Sequence, residues 1–324
     1  MSENPFPISH ELHEDESGLG FCLRSVSANG GQLLALRHLL GIGPSARIQA
    51  MHAVKLSQWF GVEKALLEHR LPVFLPRVGG ARRFCYGHFF RQPGALRLTQ
   101  PQLCPQCISE KGYLQGVWDL TLSTCCLEHG LLLVGRCPQC QSVIKWERKG
   151  VQWGACRHHL GLSRNAAVAD SSLLSAQRIL QASFRSQGGP AMAMNECLPT
   201  WIAGLSVDGW MHVLYAFGLL RAAWAPLCSK ELSQCSASVD AQEIVSRGIR
   251  RIRDFEVGSP RHSEWSAVVA RIPLINLMIC PTGLQDQAIG YQLFQRIFGC
   301  SELNDVVRKH PQLGQLELFG ELFI

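Results

Sequence analysis

The sequence lacks a run of apolar residues long enough for a membrane-spanning helix. No apolar stretch reaches the roughly 18 residues that a span needs, and the richest one, residues 272–280, is interrupted by Pro273. The opening MSENPFPISHELHEDE has neither a basic start nor an apolar centre, so we expect no signal peptide. Because 14 cysteines occur without a secretion signal, the sequence predicts a cytoplasmic protein of a reducing compartment, without membrane association.

Charged residues are also scarce. They make up 17% of the 324 residues, which is low for a freely soluble monomer and predicts that partners cover part of the surface. The net charge of +6 lies within residues 1–160. This excess suits an anionic partner but is far below that of a dedicated nucleic-acid domain. The length allows two or three domains.

The motifs of several enzyme classes are absent from the sequence. It contains no P-loop, no HExxH and no clustered acidic triad of the kind that a two-metal nuclease uses. Scattered acids such as Asp254, Glu256 and Glu264 could still be gathered by folding. We nevertheless predict that the protein is not an enzyme and has no catalytic residues.

A doubled cysteine–histidine pattern occupies residues 104–159. The order C-x2-C followed by C-x2-H is written twice in succession. Thiolate sulfur and imidazole nitrogen are ligands that Zn2+ prefers, and four of them close a tetrahedral structural site with no open position for water. We therefore predict two structural Zn2+ ions. Their ligands are Cys104, Cys107, Cys126 and His129 for the first, and Cys137, Cys140, Cys156 and His159 for the second.

Two ligand choices in this pattern stay open. Cys125 competes with Cys126, and His158 competes with His159. Choosing Cys126 and His159 gives the same two-residue spacing in both halves, and we prefer them for that reason. The alternative reading, in which these residues are buried or redox-active thiols, is disfavoured by the repeated spacing.

Outside the ribbons the sequence has helical periodicity and no strand-like alternation. A first helix over 16–30 is capped by Ser17, a longer one over 46–60 is closed by Gly61, and a short one covers 63–70. In the C-terminal half we expect helices over 170–184, 206–221 with Ser206 as its cap, 240–255 opened by a capping box at Asp240, 263–272, 284–298 stopped by Gly299, and 301–310. The predicted fold is mainly α with small zinc ribbons. It comprises an N-terminal helix-turn-helix-type helical domain (residues 1–100), a tandem zinc-ribbon domain (101–162) and a C-terminal helical domain (163–324).

Residues 56–67 have the rhythm of a helix-turn-helix, with Gly61 in the turn. The second helix would present charges of both signs, whereas a helix that reads a DNA groove is usually more basic. A plain helical bundle therefore stays an equal alternative. Candidate residues for contact with nucleic acid or a protein partner are Lys64, His69, Arg70, Arg82, Arg83, Arg250 and Arg251. Arg250 and Arg251 belong to an arginine cluster over residues 247–253, for which a solvated helix side is the default interpretation. For Arg82 and Arg83, phosphate contact and a packed loop with solvated arginines are equal alternatives.

Two stretches carry a resemblance to a known family. One is the opening DESGLGFCLR at residues 15–24, followed by Gly30. The other begins with CPQC at 104–107, passes through CLEHG at 126–130 and ends with CPQC at 137–140. Together they are similar to the TniQ/TnsD family of transposon target-selection proteins. The chain departs from that family at Gly20, where an aromatic residue is more usual, and at Leu127, where a proline is.

The resemblance implies a non-catalytic adaptor of transposition. Such proteins mark an insertion site and recruit an AAA+ ATPase regulator of the TnsC or TniB type, which engages the transposase. Long members read target DNA directly, whereas shorter ones ride on a CRISPR RNA-guided Cascade complex, often as a head-to-tail homodimer. The modest length and charge of this chain favour the second mode. The alternative is a sequence-specific DNA-binding regulator that uses the helix-turn-helix.

Overall fold

The chain folds into two compact units. One is built mainly from Met1–Asp170, and the other mainly from Ser171–Leu232 and Val239–Ile324. A computed structural model describes residues 6–43, 46–75, 82–91, 94–162, 169–185, 198–220, 238–257, 262–310 and 313. These residues form a mainly helical structure, as the sequence predicts, together with one small antiparallel sheet. The predicted division between residues 1–100 and 101–162 falls inside the first unit and stays a prediction.

The first unit opens with helices. They are α1 (Gly18–Ala28), α2 (Leu33–Leu39), α3 (Ala53–Phe60) and α4 (Lys64–Arg70). Ser17 caps α1 as predicted, because its hydroxyl oxygen accepts a hydrogen bond from the Gly20 amide at 3.2 Å. Gly61 joins α3 to α4 in the left-handed conformation (φ 67°), as the helix-turn-helix pattern requires. The rings of Phe21 and Phe60, both fully buried, meet edge to face with centroids 5.7 Å apart.

The prediction of one continuous helix over 46–60 is wrong. Residues 46–49 have no regular structure, and a 3-10 turn at Ala50–His52 leads into α3. The cause is a local cap, because the backbone of Gln49 is extended and the side chains of Gln49 and His52 bond each other's backbone amides. Helical structure therefore begins at Ala50, and the carbonyl of Ala46 accepts a hydrogen bond from Arg37 instead.

A three-stranded antiparallel sheet follows α4, where the sequence predicts no strands. It comprises β1 (Val73–Leu75), β2 (Arg82–Cys85) and β3 (His88–Phe90), paired in that order. The turn between β2 and β3 is Tyr86-Gly87, with both residues left-handed (φ 55° and 79°). Asn-Gly or Asp-Gly usually marks such a turn in a sequence, and Tyr-Gly does not, so the hairpin was not predicted.

Tyr86 is held in this turn by a buried hydrogen-bond network. Its hydroxyl donates to Asp119 at 2.5 Å, and the Ser17 hydroxyl donates to the same carboxylate oxygen at 2.8 Å. Burial raises the pKa of Asp119 to about 7. The network thus joins the start of α1, the β2–β3 turn and a 3-10 turn at Gly116–Asp119.

The second unit consists of helices in its described part. The remaining helix of the first unit is α5 (Pro105–Glu110). The helices of the second unit are α6 (Ser171–Arg185), α7 (Val207–Gly218), α8 (Ser238–Val257), α9 (His262–Val268), α10 (Arg271–Ile279) and α11 (Leu284–Lys309). Every residue of α7 is buried, which makes it the centre of this unit. Ser206 caps α7 as predicted and donates its hydroxyl to the buried Asp286 at 2.6 Å.

The boundaries of several C-terminal helices differ from the predicted ones. The expected single helix over 263–272 is split into α9 and α10, because Pro273 is accommodated in the first turn of α10, where an amide is not needed. Helix α8 begins at Ser238, so Asp240 lies inside its first turn rather than at a cap. Gly299 (φ 85°) interrupts α11 at the predicted stop. Within the described ranges, no helix combines the length and the apolarity that a bilayer span requires.

Candidate metal centre

The first cysteine–histidine cluster is assembled by α5 and a following tight turn. Cys104 precedes α5, and Cys107 lies in its first turn. Cys126 and His129 belong to a turn that closes where the Gly130 amide donates to the Cys126 carbonyl at 2.9 Å. Gly130 has a left-handed backbone (φ 66°), so a residue without a Cβ suits this position. The three cysteines are buried and the histidine is half-buried.

The four ligand atoms of this cluster have the spacing of a tetrahedral zinc site. The Cys107 and Cys126 sulfurs are 3.5 Å apart. The Nδ1 atom of His129 lies 3.5, 3.2 and 3.6 Å from the sulfurs of Cys104, Cys107 and Cys126. Zinc bonds of about 2.3 Å to sulfur and about 2.0 Å to nitrogen place tetrahedral ligands roughly 3.5–3.8 Å apart. The residues present therefore fit a Zn2+ ion.

A carboxylate orients the histidine of this cluster from outside. The Glu110 Oε2 atom lies 3.0 Å from His129 Nε2, which leaves Nδ1 to face the sulfurs. Burial alone lowers the pKa of His129, but hydrogen bonds with Cys126 and Glu110 outweigh it and raise that pKa above its ordinary value. Gln106 donates to the other oxygen of Glu110 at 2.9 Å and fixes its position. The sequence offered no signal for this role of Glu110.

Glu110→Gln should weaken zinc binding at the first cluster by about tenfold, because a carboxylate partner makes a ligating histidine more basic and fixes its ring. Competition with a colorimetric chelator measures the change. Glu128→Gln is the matched control, since Glu128 is also close to this cluster but pairs with Lys111 at 2.6 Å. Equal losses in the two variants would show that nearby negative charge, and not the hydrogen bond to His129, causes the effect.

The second cluster contains Cys137, Cys140, Cys156 and His158, whose ligand atoms all lie within 4.8 Å of one another. The Nδ1 atom of His158 is 3.5 Å from the Cys137 sulfur. Its first knuckle repeats the turn of the first cluster, because the amide of Gln141, a left-handed residue, donates to the Cys137 carbonyl at 2.8 Å. The set of three sulfurs and one imidazole nitrogen again suits Zn2+.

The structure brings His158, and not the preferred His159, together with the three sulfurs of this cluster. Arg157 is left-handed (φ 67°), so the chain reverses immediately after Cys156 and brings the next residue, His158, towards the sulfurs. The ring of His159 instead packs edge to face against Trp153, with centroids 5.1 Å apart. Even spacing of the two halves was therefore a misleading guide.

The choice of Cys126 over Cys125 agrees with the geometry. Cys126 lies in the first cluster, whereas Cys125 is a fully buried residue whose backbone pairs with Leu132. The side chains of Cys125 and Cys126 point in opposite directions, as successive side chains do in an extended strand.

Comparison with family models finds a match within the first unit. The TniQ family model matches residues 7–133, which run from the first described residues through helices α1 to α5 and the first cluster. Residues 7–133 are therefore similar to the TniQ domain. TniQ domains are associated with target selection in transposition, where they serve as non-catalytic accessory domains. No curated protein shows significant similarity to the chain.

Two arginines predicted to contact a partner are engaged within the fold. Arg70, in the TniQ domain, is buried and donates to the carbonyls of Leu66 and Glu14 at 3.1 and 2.8 Å. Arg251, in the second unit, donates to the carbonyls of Phe217 and Val268 at 2.8 and 3.0 Å. Both guanidinium groups donate hydrogen bonds to backbone carbonyls at the ends of helices or in neighbouring chain segments. The charge pattern of the sequence does not reveal this role.

The other predicted contact residues differ in their exposure. Lys64 is exposed and pairs with Glu68, and Arg250 is exposed on α8. Arg83 is half-buried, with its guanidinium carbon 5.3 Å from the centre of the Phe74 ring. His69 is half-buried, and burial lowers its pKa. The side chain of Arg82 lies outside the described residues.

Proposed function

We propose that the protein is a non-catalytic adaptor that selects target sites for DNA transposition by linking a target-marking complex to an AAA+ ATPase regulator. The TniQ domain over residues 7–133 is the observation that carries this proposal. The marking complex is a CRISPR Cascade-type complex or target DNA itself. The adaptor works by holding partners in fixed positions, as two closed four-ligand sites would allow.

In this proposal, two Zn2+ ions stabilise the TniQ domain and the ribbon that follows it. The first ion is held by Cys104, Cys107, Cys126 and His129, and the second by Cys137, Cys140, Cys156 and His158. Regular elements are sparse over residues 111–159, where backbone pairing consists of isolated bridges such as Arg136 with Val143. A segment so poor in regular structure gains much of its order from metal.

The surface around α3 and α4 suits a protein partner. Met51, Val54 and Leu66 are exposed apolar side chains in this region. The charges beside them, Lys64 and Glu68, are opposite in sign and pair with each other. Exposed apolar residues next to balanced charges are typical of a protein interface, whereas a DNA-reading helix carries an excess of positive charge.

Capture of the cognate AAA+ ATPase regulator tests the proposal. The tagged full-length protein, loaded with zinc, is expected to retain that regulator, with or without target DNA and the Cascade complex. Met51→Asp combined with Leu66→Asp should reduce retention at unchanged zinc content, and an unrelated AAA+ ATPase is the control for specificity. Failure of the wild-type protein to retain the regulator under every one of these conditions would contradict the adaptor function.

A sequence-specific DNA-binding regulator is the second candidate, because α3, Gly61 and α4 are connected as in a helix-turn-helix. Lys64 would then face the groove. Selective duplex binding that is lost in Lys64→Glu would favour this candidate over the adaptor. Head-to-tail dimerisation, which the family resemblance implies, is measured in the same preparations by light scattering.

A further inference from the structure

A cavity of about 510 Å3 lies in the first unit beside the second cysteine–histidine cluster. Its wall includes Gln32 and Leu34 from the start of α2 and residues on both sides of Trp153 in the second ribbon. Three cationic side chains line it, Arg148, Lys149 and Arg157, against one carboxylate, Glu147. No metal ligand lines the cavity, so it is separate from both clusters.

The one carboxylate of the cavity is already engaged. Glu147 forms an ion pair with Arg37, whose Nη1 atom lies 3.1 Å from Glu147 Oε1. Lys149 and Arg157 are exposed. The cavity therefore has a positive charge that no carboxylate of its own wall neutralises.

Arg148 is the residue that indicates a ligand. It is 4% exposed, and its Nε and Nη1 atoms donate to the carbonyls of Gly150 and Lys145 at 3.2 and 2.6 Å. Its Nη2 atom is buried and has no hydrogen-bond partner among the described residues, and the guanidinium carbon lies 5.7 Å from the centre of the Trp146 ring. A buried guanidinium normally has a carboxylate or phosphate beside it, because an unopposed charge is costly away from water.

A second, smaller cavity of about 220 Å3 continues this basic surface. Glu147 lines both cavities, and the smaller one adds Arg47 and Lys145 to the basic residues. Arg47 follows α2 in the chain and Lys145 precedes Trp146 in the second ribbon. Cations spaced along two adjoining hollows suit a polymer of anions better than a single small anion.

We propose that the surface formed by Arg148, Lys149 and Arg157, continued by Arg47 and Lys145, binds the phosphodiester backbone of a nucleic acid. The exposed Lys149 and Arg157 contact neighbouring phosphates, and the buried guanidinium of Arg148 adds positive charge to the wall behind them. The ligand is an anion because every unengaged charge on the wall is positive.

This surface binds backbone and does not read bases. Trp153 is the aromatic residue that lines the larger cavity. The Lys149 ammonium lies over its ring at 5.6 Å from the centroid, and His159 packs against it edge to face. Because the indole is engaged by these two residues, stacking on bases contributes little, and binding should be insensitive to sequence.

The test is fluorescence anisotropy with the full chain and labelled nucleic acid of arbitrary sequence, in separate arms with duplex DNA and single-stranded RNA, titrated with salt. Lys149→Gln combined with Arg157→Gln should weaken binding about tenfold or more at low salt and reduce the salt slope by about 2. Arg136→Gln combined with Arg308→Gln removes two exposed cations that line neither cavity and is the matched control. The arm with the larger loss identifies DNA or RNA as the source of the phosphates.

Three results would overturn the proposal. They are undetectable nucleic-acid binding by the wild-type protein, equal losses in the cavity and control variants, and equally tight binding of a polyglutamate peptide at the same salt. Arg148→Gln, which removes the buried positive charge, should also weaken binding, and its melting temperature is measured alongside. If the Arg148 variant melts at a lower temperature than the wild type, the Lys149→Gln and Arg157→Gln variant alone decides whether the surface binds nucleic acid. The proposal does not rest on ATPase recruitment, which the cavity variant should retain.

Discussion

Removal of zinc should unfold most of the first unit while the helices of the second unit persist. Both clusters lie within Met1–Asp170, and the segment that carries their ligands has little regular structure of its own. Structural zinc contributes on the order of 10–16 kcal/mol to the folding of small zinc-dependent domains at pH 7. A strong chelator should release about two zinc ions per chain. Circular dichroism should show partial loss of helix, and near-ultraviolet signals from Trp118, Trp146 and Trp153 should disappear.

Cys107→Ser separates the contribution of the first ion. This variant should bind one zinc ion per chain in place of two, and the TniQ domain should melt at a much lower temperature, because serine is a poor ligand for zinc. Cys125→Ala is the control. It removes a neighbouring buried sulfur that is not in the cluster, so it should keep both ions and cost only about 1 kcal/mol. Two ions in the Cys107→Ser protein would show that this sulfur is not a ligand.

The metal pattern could be predicted because its information is local. Ligand type and spacing within a few residues determine a knuckle, and seven of the eight residues predicted from sequence are the ones that the structure brings together. The eighth depended on one backbone torsion, the left-handed φ of Arg157, and arginine gives no sign of it in sequence. Helix caps at Ser17 and Ser206 were equally local and equally predictable.

Features that depend on distant contacts were not predictable. The β2–β3 turn places Tyr86 at a positive φ that this residue rarely adopts, and the bond to Asp119, 33 residues away, holds it there. Arg251 belongs to a cluster of arginines that suggests an anion-binding face, yet it donates to the Phe217 carbonyl, 34 residues away. Conversely, the sequence gives no sign of the buried Arg148, because the unpartnered Nη2 atom of its guanidinium becomes evident only when its neighbours are in place.

His158→Ala should reduce the zinc content from two ions to one per chain, whereas His159→Ala should keep both. The reversal at Arg157 places the His158 Nδ1 atom 3.5 Å from the Cys137 sulfur, and three remaining ligands bind zinc far more weakly than four. The pair is closely matched, since the two variants remove the same side chain at adjacent positions. Atomic absorption after dialysis against a weak chelator measures the metal.

The His159→Ala variant should show a different and smaller defect. It loses the edge-to-face contact with Trp153, which is worth about 1 kcal/mol, so the melting temperature should fall slightly at full zinc content. Tryptophan fluorescence should change in this variant because the ring of His159 no longer covers the indole. Loss of an ion from His159→Ala but not from His158→Ala would restore the evenly spaced ligand set. It would also mean that the turn at Arg157 differs in the metal-bound protein.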